Sequence, residues 1–168
     1  WRFTTISPAV TKLTPDANTQ YASPTQTVTV EFNQPMADGA ERGITLTADD
    51  GTRVAGATTW SAGRTVATFK PDGRLQYLTG YTVAVASGLV GANGGATAEA
   101  RTATFTTVGV PAVVSTQPSN GEVDAGRYGM SVHFSNPMDP DSFDGKVSVS
   151  GFSLDEISTY AYDLDLSI

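Results

Sequence analysis

VEFNQPM at Val30–Met36 and VHFSNPM at Val132–Met138 are the same phrase written twice in one chain of 168 residues. Reading back from the first copy, Val28, Val30 and Phe32 fall at every second position and alternate with Thr29 and Glu31. This period of two puts the apolar side chains on one face of a strand and the polar ones on the other. Met130, Val132 and Phe134 repeat the pattern in the second copy. Pro35 lacks an N–H and ends ladder pairing, after which Met36 is expected to fold back as an adaptable plug in a core.

The repetition extends outward on both sides. Phe3-Thr4-Thr5 returns as Phe105-Thr106-Thr107, Phe32 as Phe134 and Pro35-Met36 as Pro137-Met138, each pair 102 residues apart. Pro8, Val10 and Pro15 return one residue later, as Pro111, Val113 and Pro118. A period near a hundred residues means duplicated domains and is too long for a solenoid.

Between these anchors lie short runs rich in Val, Thr and aromatic residues: Thr25–Phe32, Thr65–Phe69, Tyr81–Ala86 and Arg101–Thr106. They read as half-buried strands. Turn signals separate them: ADDG at Ala48–Gly51, SAGR at Ser61–Arg64, PDGR at Pro71–Arg74 and GANGG at Gly91–Gly95. Many short strands with no amphipathic pattern of helix length predict an all-β, antiparallel β-sandwich.

The repeat also predicts the domain organisation. Residues 1–5 match the closing strand Ala103–Thr107 and read as the last strand of a preceding repeat; 6–107 form one complete domain; 108–168 are the N-terminal part of a second. Nothing after Ile168 matches the LTGYTVAV strand of Leu78–Val85 or the closing TATFTT. Such a partial sandwich leaves an unpaired edge and an open core face, which favour association. Strand exchange with another molecule, with Trp1–Thr5 as the donor, is one expected outcome, and a poorly packed second domain is the other.

Seventeen acidic residues against ten basic ones give a formal charge of −7, the wrong sign for a phosphate backbone or an anionic lipid surface. Neither nucleic acid nor membrane is an expected partner of this segment. The longest apolar stretches, such as Val108–Val114, fall far short of the roughly 20 residues that cross a bilayer. With no Cys, there is no disulfide, thiolate metal site or Cys nucleophile, and stability must come from packing.

Val-x-Phe-(Asn/Ser)-x-Pro-Met, followed by the Leu-x-x-Leu-Thr-Gly-Tyr-Thr-Val stretch of Leu75–Val83, a Gly-rich turn and Ala103-Thr-Phe-Thr-Thr107, resembles the bacterial Ig-like domain of the S-layer-protein type. The resemblance covers nearly all of Ile6–Thr107 and the first half of a copy from Val108. It implies an Ig-like sandwich with one complete repeat and a partial second one. It also implies a non-catalytic structural or spacer module of a large exported bacterial protein, at the cell surface or secreted, whose partners are neighbouring Ig-like repeats. Two alternatives stand beside it: a scaffold domain of a bacterial alpha-2-macroglobulin-like protease inhibitor, and an adhesive or carbohydrate-binding module.

Residues able to carry chemistry are few. His133, the only histidine, is out of phase with Val132 and Phe134 and reads as a solvent-facing strand residue; no Gly-x-Ser-x-Gly accompanies it. Asp139, Asp141 and Asp144, in DPDSFDG, offer hard oxygen ligands to calcium, but their spacing departs from the EF-hand and a turn capped by Asp side chains is the simpler reading. Asp163 and Asp165 alternate with Leu164 and Leu166 like the wet face of a strand. Trp60 and Trp1 are candidate sugar-stacking rings, though Trp60 reads first as cover for the core at a strand end and Trp1 as part of the preceding domain. Tyr81, at the start of a late strand after Thr79-Gly80, reads equally as a tyrosine corner with its hydroxyl bonded to nearby backbone and as an ordinary half-buried strand tyrosine. No catalytic residue and no cofactor is expected.

Overall fold

In the computed structural model, which describes residues 6–122, 129–143, 145–148, 156–160 and 163–167, the chain divides into two compact units at Val108/Gly109. The first unit holds eight strands among its described residues: β1 Val10–Thr14, β2 Thr19–Ala22, β3 Val28–Phe32, β4 Ile44–Ala48, β5 Gly56–Trp60, β6 Val66–Pro71, β7 Gly80–Val85 and β8 Arg101–Thr107. They form two four-stranded sheets, ordered β1-β3-β6-β5 and β2-β8-β7-β4. This is the Ig-like sandwich, and among its described residues all are β or loop apart from a single 3-10 turn at Ala40–Gly43.

The alternation read from the sequence sets the inner faces. Val28, Val30 and Phe32 are buried on β3 while Thr29 and Glu31 are only partly covered. Ala67 and Phe69 on β6, Ile44 and Leu46 on β4, Tyr81, Val83 and Val85 on β7, and Phe105 on β8 complete one core. Met36 is fully buried within it, as a plug following Pro35 should be. Removing such a side chain from water stabilises the fold by about 1.5–3 kcal/mol. Gly56 is where this packing demands glycine: a Cβ there would lie 2.5 Å from the Phe69 ring and 2.4 Å from the Lys70 carbonyl oxygen.

Two strands connect the sheets in the Ig manner. β1 pairs antiparallel with β3, with a bulge between Val10 and Lys12, and the chain then crosses so that β2 pairs parallel with β8. The Thr14–Pro15 peptide bond at this crossing is cis.

The second unit has four strands among its described residues: β9 Val113–Gln117, β10 Met130–Phe134, β11 Glu156–Tyr160 and β12 Asp163–Ser167. They make a single sheet in the order β9-β10-β12-β11. Its plan is that of the first unit's β1-β3-β6-β5 sheet. Val113 pairs with Phe134 as Val10 pairs with Phe32, a bulge follows, and Thr116 faces Val132 as Leu13 faces Val30. A 3-10 turn at Pro140–Phe143 follows β10 as Ala40–Gly43 follows β3, and Gln117–Pro118 is cis as Thr14–Pro15 is. Phe143 and Leu164 are the buried centre, with Met130, Val132, Phe134, Met138 and Val147 packed against them. Trp1–Thr5 lie outside the described residues, and so does the expected donor strand.

Candidate functional site

The duplicated motif is a clamp on the incoming chain. Once β3 ends, Asn33 turns its side chain back: its Oδ1 accepts the Ala9 N–H at 2.9 Å and its Nδ2 donates to the Ser7 carbonyl at 3.1 Å. The Asn33 N–H donates to the Ala9 carbonyl, and Gln34 Nε2 donates to the Ile6 carbonyl at 3.2 Å. In the second unit Ser135 and Asn136 occupy these positions. Ser135 Oγ accepts the Ala112 N–H at 3.0 Å, the Ser135 N–H donates to the Ala112 carbonyl, and Asn136 Nδ2 donates to the Gly109 carbonyl at 2.7 Å. The polar residues between Phe and Pro-Met thus hold the first four described residues of each unit. The sequence reading used only the strand and the Pro-Met of this motif and missed this role.

Arg64 was also missed; it reads as the end of a turn. It sits at φ 51, in the left-handed region that an arginine rarely adopts. From there Nε donates to the Met36 carbonyl at 2.7 Å and Nη2 to the Ala37 carbonyl at 2.8 Å, while Nη1 pairs with Asp38 at 3.0 Å. Asp38 is 98% exposed, so that pair is screened by water and contributes little. The two carbonyl bonds matter more, because they fix the chain on either side of the Met36 plug.

Trp60 belongs to the same cluster. Its indole N–H donates to Glu41 Oε2 at 3.1 Å, its ring lies 5.9 Å from Phe32, and the Arg64 guanidinium stands 5.0 Å from the ring centroid. It covers the core at a strand end. The Glu41 carboxyl is held below the usual glutamate range, chiefly by its own backbone N–H and then by the Trp60 indole.

Tyr81 forms the tyrosine corner. Its ring is buried and stacked on Phe105, and its hydroxyl oxygen accepts the Gln76 N–H at 2.8 Å. The buried Thr107 hydroxyl donates to the Gln76 carbonyl at 2.6 Å and accepts the Thr79 N–H at 3.1 Å. Both backbone groups of Gln76 are therefore held by side chains of neighbouring strands.

The remaining candidates stay apart. His133 is exposed on β10 and its Nδ1 lies 2.6 Å from Asp163 Oδ1 on β12, a cross-strand pair on the outer face of the sheet. Asp163 and Asp165 are exposed and Leu164 is buried between them. Asp139 caps its own turn: Oδ1 accepts the Asp141 N–H at 3.2 Å, and the Asp139 carbonyl accepts the Ser142 hydroxyl at 2.5 Å. Asp144, the third calcium candidate, lies outside the described residues. Among the described residues no three His, Cys, Asp or Glu side chains converge on one point.

Two clefts open along the seams of the first sandwich. One, of about 270 Å³, is lined by Val10, Lys12, Leu13, Asp16 and Arg101; the other, of about 350 Å³, by Ile44, Leu46, Arg53, Phe69 and Asp72. Each holds a single carboxylate and no histidine among its described lining residues, so neither presents the two facing carboxylates that glycoside hydrolysis uses.

Sequence comparison places residues 4–107 in the family of bacterial Ig-like domains, and the chain belongs to that family. No curated protein matches it by sequence. Among solved structures it is similar to CopC from Methylosinus trichosporium OB3b, at 15% identity over 61% of this chain and 94% of that one, with a TM-score of 0.49. It is similar to the native conformation of E. coli alpha-2-macroglobulin at 15% identity over 83% of this chain and 9% of that one, with a TM-score of 0.47. It is also similar to the S-layer protein rSbsC(31-844) at 22% identity over 96% of this chain and 22% of that one, with a TM-score of 0.46.

Proposed function

We propose that this chain is a non-catalytic spacer segment of a large exported bacterial protein, in which Ig-like units follow one another and hold other domains at a distance. The observation that carries this reading is the repeated clamp. Asn33 and Gln34 bind the backbone of Ile6–Ala9, and Ser135 and Asn136 bind that of Gly109–Ala112, so each unit fixes its own opening segment, the stretch that follows directly on whatever precedes it. A linker bonded to the next unit has less freedom than a solvated one, and Pro111 restricts Val110 to extended conformations.

The test is small-angle X-ray scattering of the chain and of its Ser135→Ala/Asn136→Ala variant. A spacer with a clamped junction gives a narrow distribution of interunit distances that broadens in the variant. An equally broad distribution in both sinks the stiff-junction reading.

A further inference from the structure

Among its described residues, the first unit protects all of its sheet edges but one. On β1 the edge carries Lys12 and the bulge beside it. β2 is four residues long and its register breaks between Thr19 and Ala22. The outer side of β4 is covered by its own loop: the Ala48 N–H donates to the Thr52 carbonyl, the Val54 N–H to the Leu46 carbonyl, and Thr47 bridges Arg53. Charges, bulges, brevity and covering loops are the usual guards against edge pairing.

β5 has none of these. It reads Gly56-Ala-Thr-Thr-Trp60, without charge, proline or bulge, and runs in unbroken register with β6 from Gly56–Pro71 to Trp60–Ala67. The flanking bonds, Ser61 N–H to the Val66 carbonyl and Asp72 N–H to the Ala55 carbonyl, set the phase of the ladder. Ala57 and Thr59 therefore bond to β6, while the N–H and C=O groups of Gly56, Thr58 and Trp60 point outward.

We propose that β5 is a self-association edge, on which a second copy of this chain adds its own β5 antiparallel about Thr58. This strand is self-complementary in that register. Thr58 faces Thr58, a favourable cross-strand pair, and the one bulky residue, Trp60, faces Gly56, which has no side chain to clash. All six outward backbone groups of each copy find partners, and no two charges meet. The pairing is isologous and closes as a dimer. Five residues per strand bury little surface, so the contact is weak between free molecules and becomes effective where copies are held close together, as on an array. The net charge of −7 on each copy opposes approach, so added salt strengthens the dimer.

Sedimentation equilibrium of the intact chain from about 10 μM to about 1 mM, at low and high salt, tests the proposal. The expected result is a concentration-dependent dimer that tightens with salt. Thr58→Pro removes an outward N–H that β6 does not use, and Ala57→Lys/Thr59→Lys sets like charges opposite each other twice across the seam. Each weakens the dimer at least tenfold. Ala57→Glu/Thr59→Lys sets opposite charges in the same places and retains it. Residues 57 and 59 are exposed, so the charge variants fold, as circular dichroism verifies. A chain that remains monomeric throughout, a dimer indifferent to these substitutions, or equal weakening by both charge pairs overturns the proposal.

Discussion

The hydroxyl oxygen of Tyr81 accepts the backbone N–H of Gln76 at 2.8 Å. This single bond joins the start of β7 to the loop before it, and the Tyr81 ring is almost wholly buried beneath. Tyr81→Phe keeps the ring and its stacking on Phe105 but leaves the Gln76 N–H without its partner. A loss of about 1–3 kcal/mol is expected, read as a lower urea midpoint at unchanged slope.

Asn33 makes two side-chain bonds to the incoming chain, whereas Ser135 at the matching position makes one. Asn33→Ser is therefore expected to be milder than Asn33→Ala. Both act at an exposed site, so the losses are about 1 kcal/mol or less. Hydrogen exchange gives the sharper readout: the Ala9 amide stays protected in Asn33→Ser and exchanges faster in Asn33→Ala. Equal protection in the two variants would show that the side chain does not hold the linker.

At Arg64 the usual ranking of small residues is inverted. Arg64→Gly and Arg64→Ala both lose the bonds to Met36 and Ala37, but glycine adopts φ 51 without penalty and alanine does not. The alanine variant is expected to be the less stable by about 1 kcal/mol, measured by thermal or urea unfolding. A glycine variant no better than alanine would mean that the backbone relaxes once the guanidinium is gone.

Glu41 gives the fold a defined acid response. Its carboxyl pKa is lower in the folded chain than in the unfolded one, so the unfolded chain binds the extra proton first as pH falls. The stabilisation is fully present above the ordinary glutamate value of about 4.3 and disappears as pH drops through the folded value. Thermal midpoints of the wild type and Glu41→Gln should differ most near neutrality and converge in acid. Parallel curves across that range would remove Glu41 from the acid response.

Much of this architecture can be read from the chain because it depends on local alternation. Val28, Val30 and Phe32 announce a half-buried strand wherever they occur, and Pro35-Met36 announces its end. The corner at Tyr81 was half legible: its place at a strand start, immediately after Gly80, suited a corner and an ordinary strand tyrosine alike, and the bond to the Gln76 N–H decided between them. The clamp was not legible, because the amides of Asn33 and Gln34 look like ordinary turn residues until Ser7, Ala9 and Ile6 lie beside them. Arg64 is hidden more deeply still. Nothing about an arginine ending a turn shows that it occupies the left-handed region or that its guanidinium reaches carbonyls 28 and 27 positions away.

The sequence by itself determined that this is a β-sandwich chain, because strand faces and turns are written in neighbouring residues. It also determined the family, through the Val-x-Phe-(Asn/Ser)-x-Pro-Met motif and the strands that follow it. The tertiary structure alone decided which side chains the motif spends on the opening segment of each unit, how Trp60 is tied to Glu41 and Arg64, and that among the described residues β5 is the one unguarded edge of the first sandwich. Those facts depend on pairs of residues distant along the chain. Only the folding of the sheets brings them within the few ångströms over which hydrogen bonds and ring contacts act.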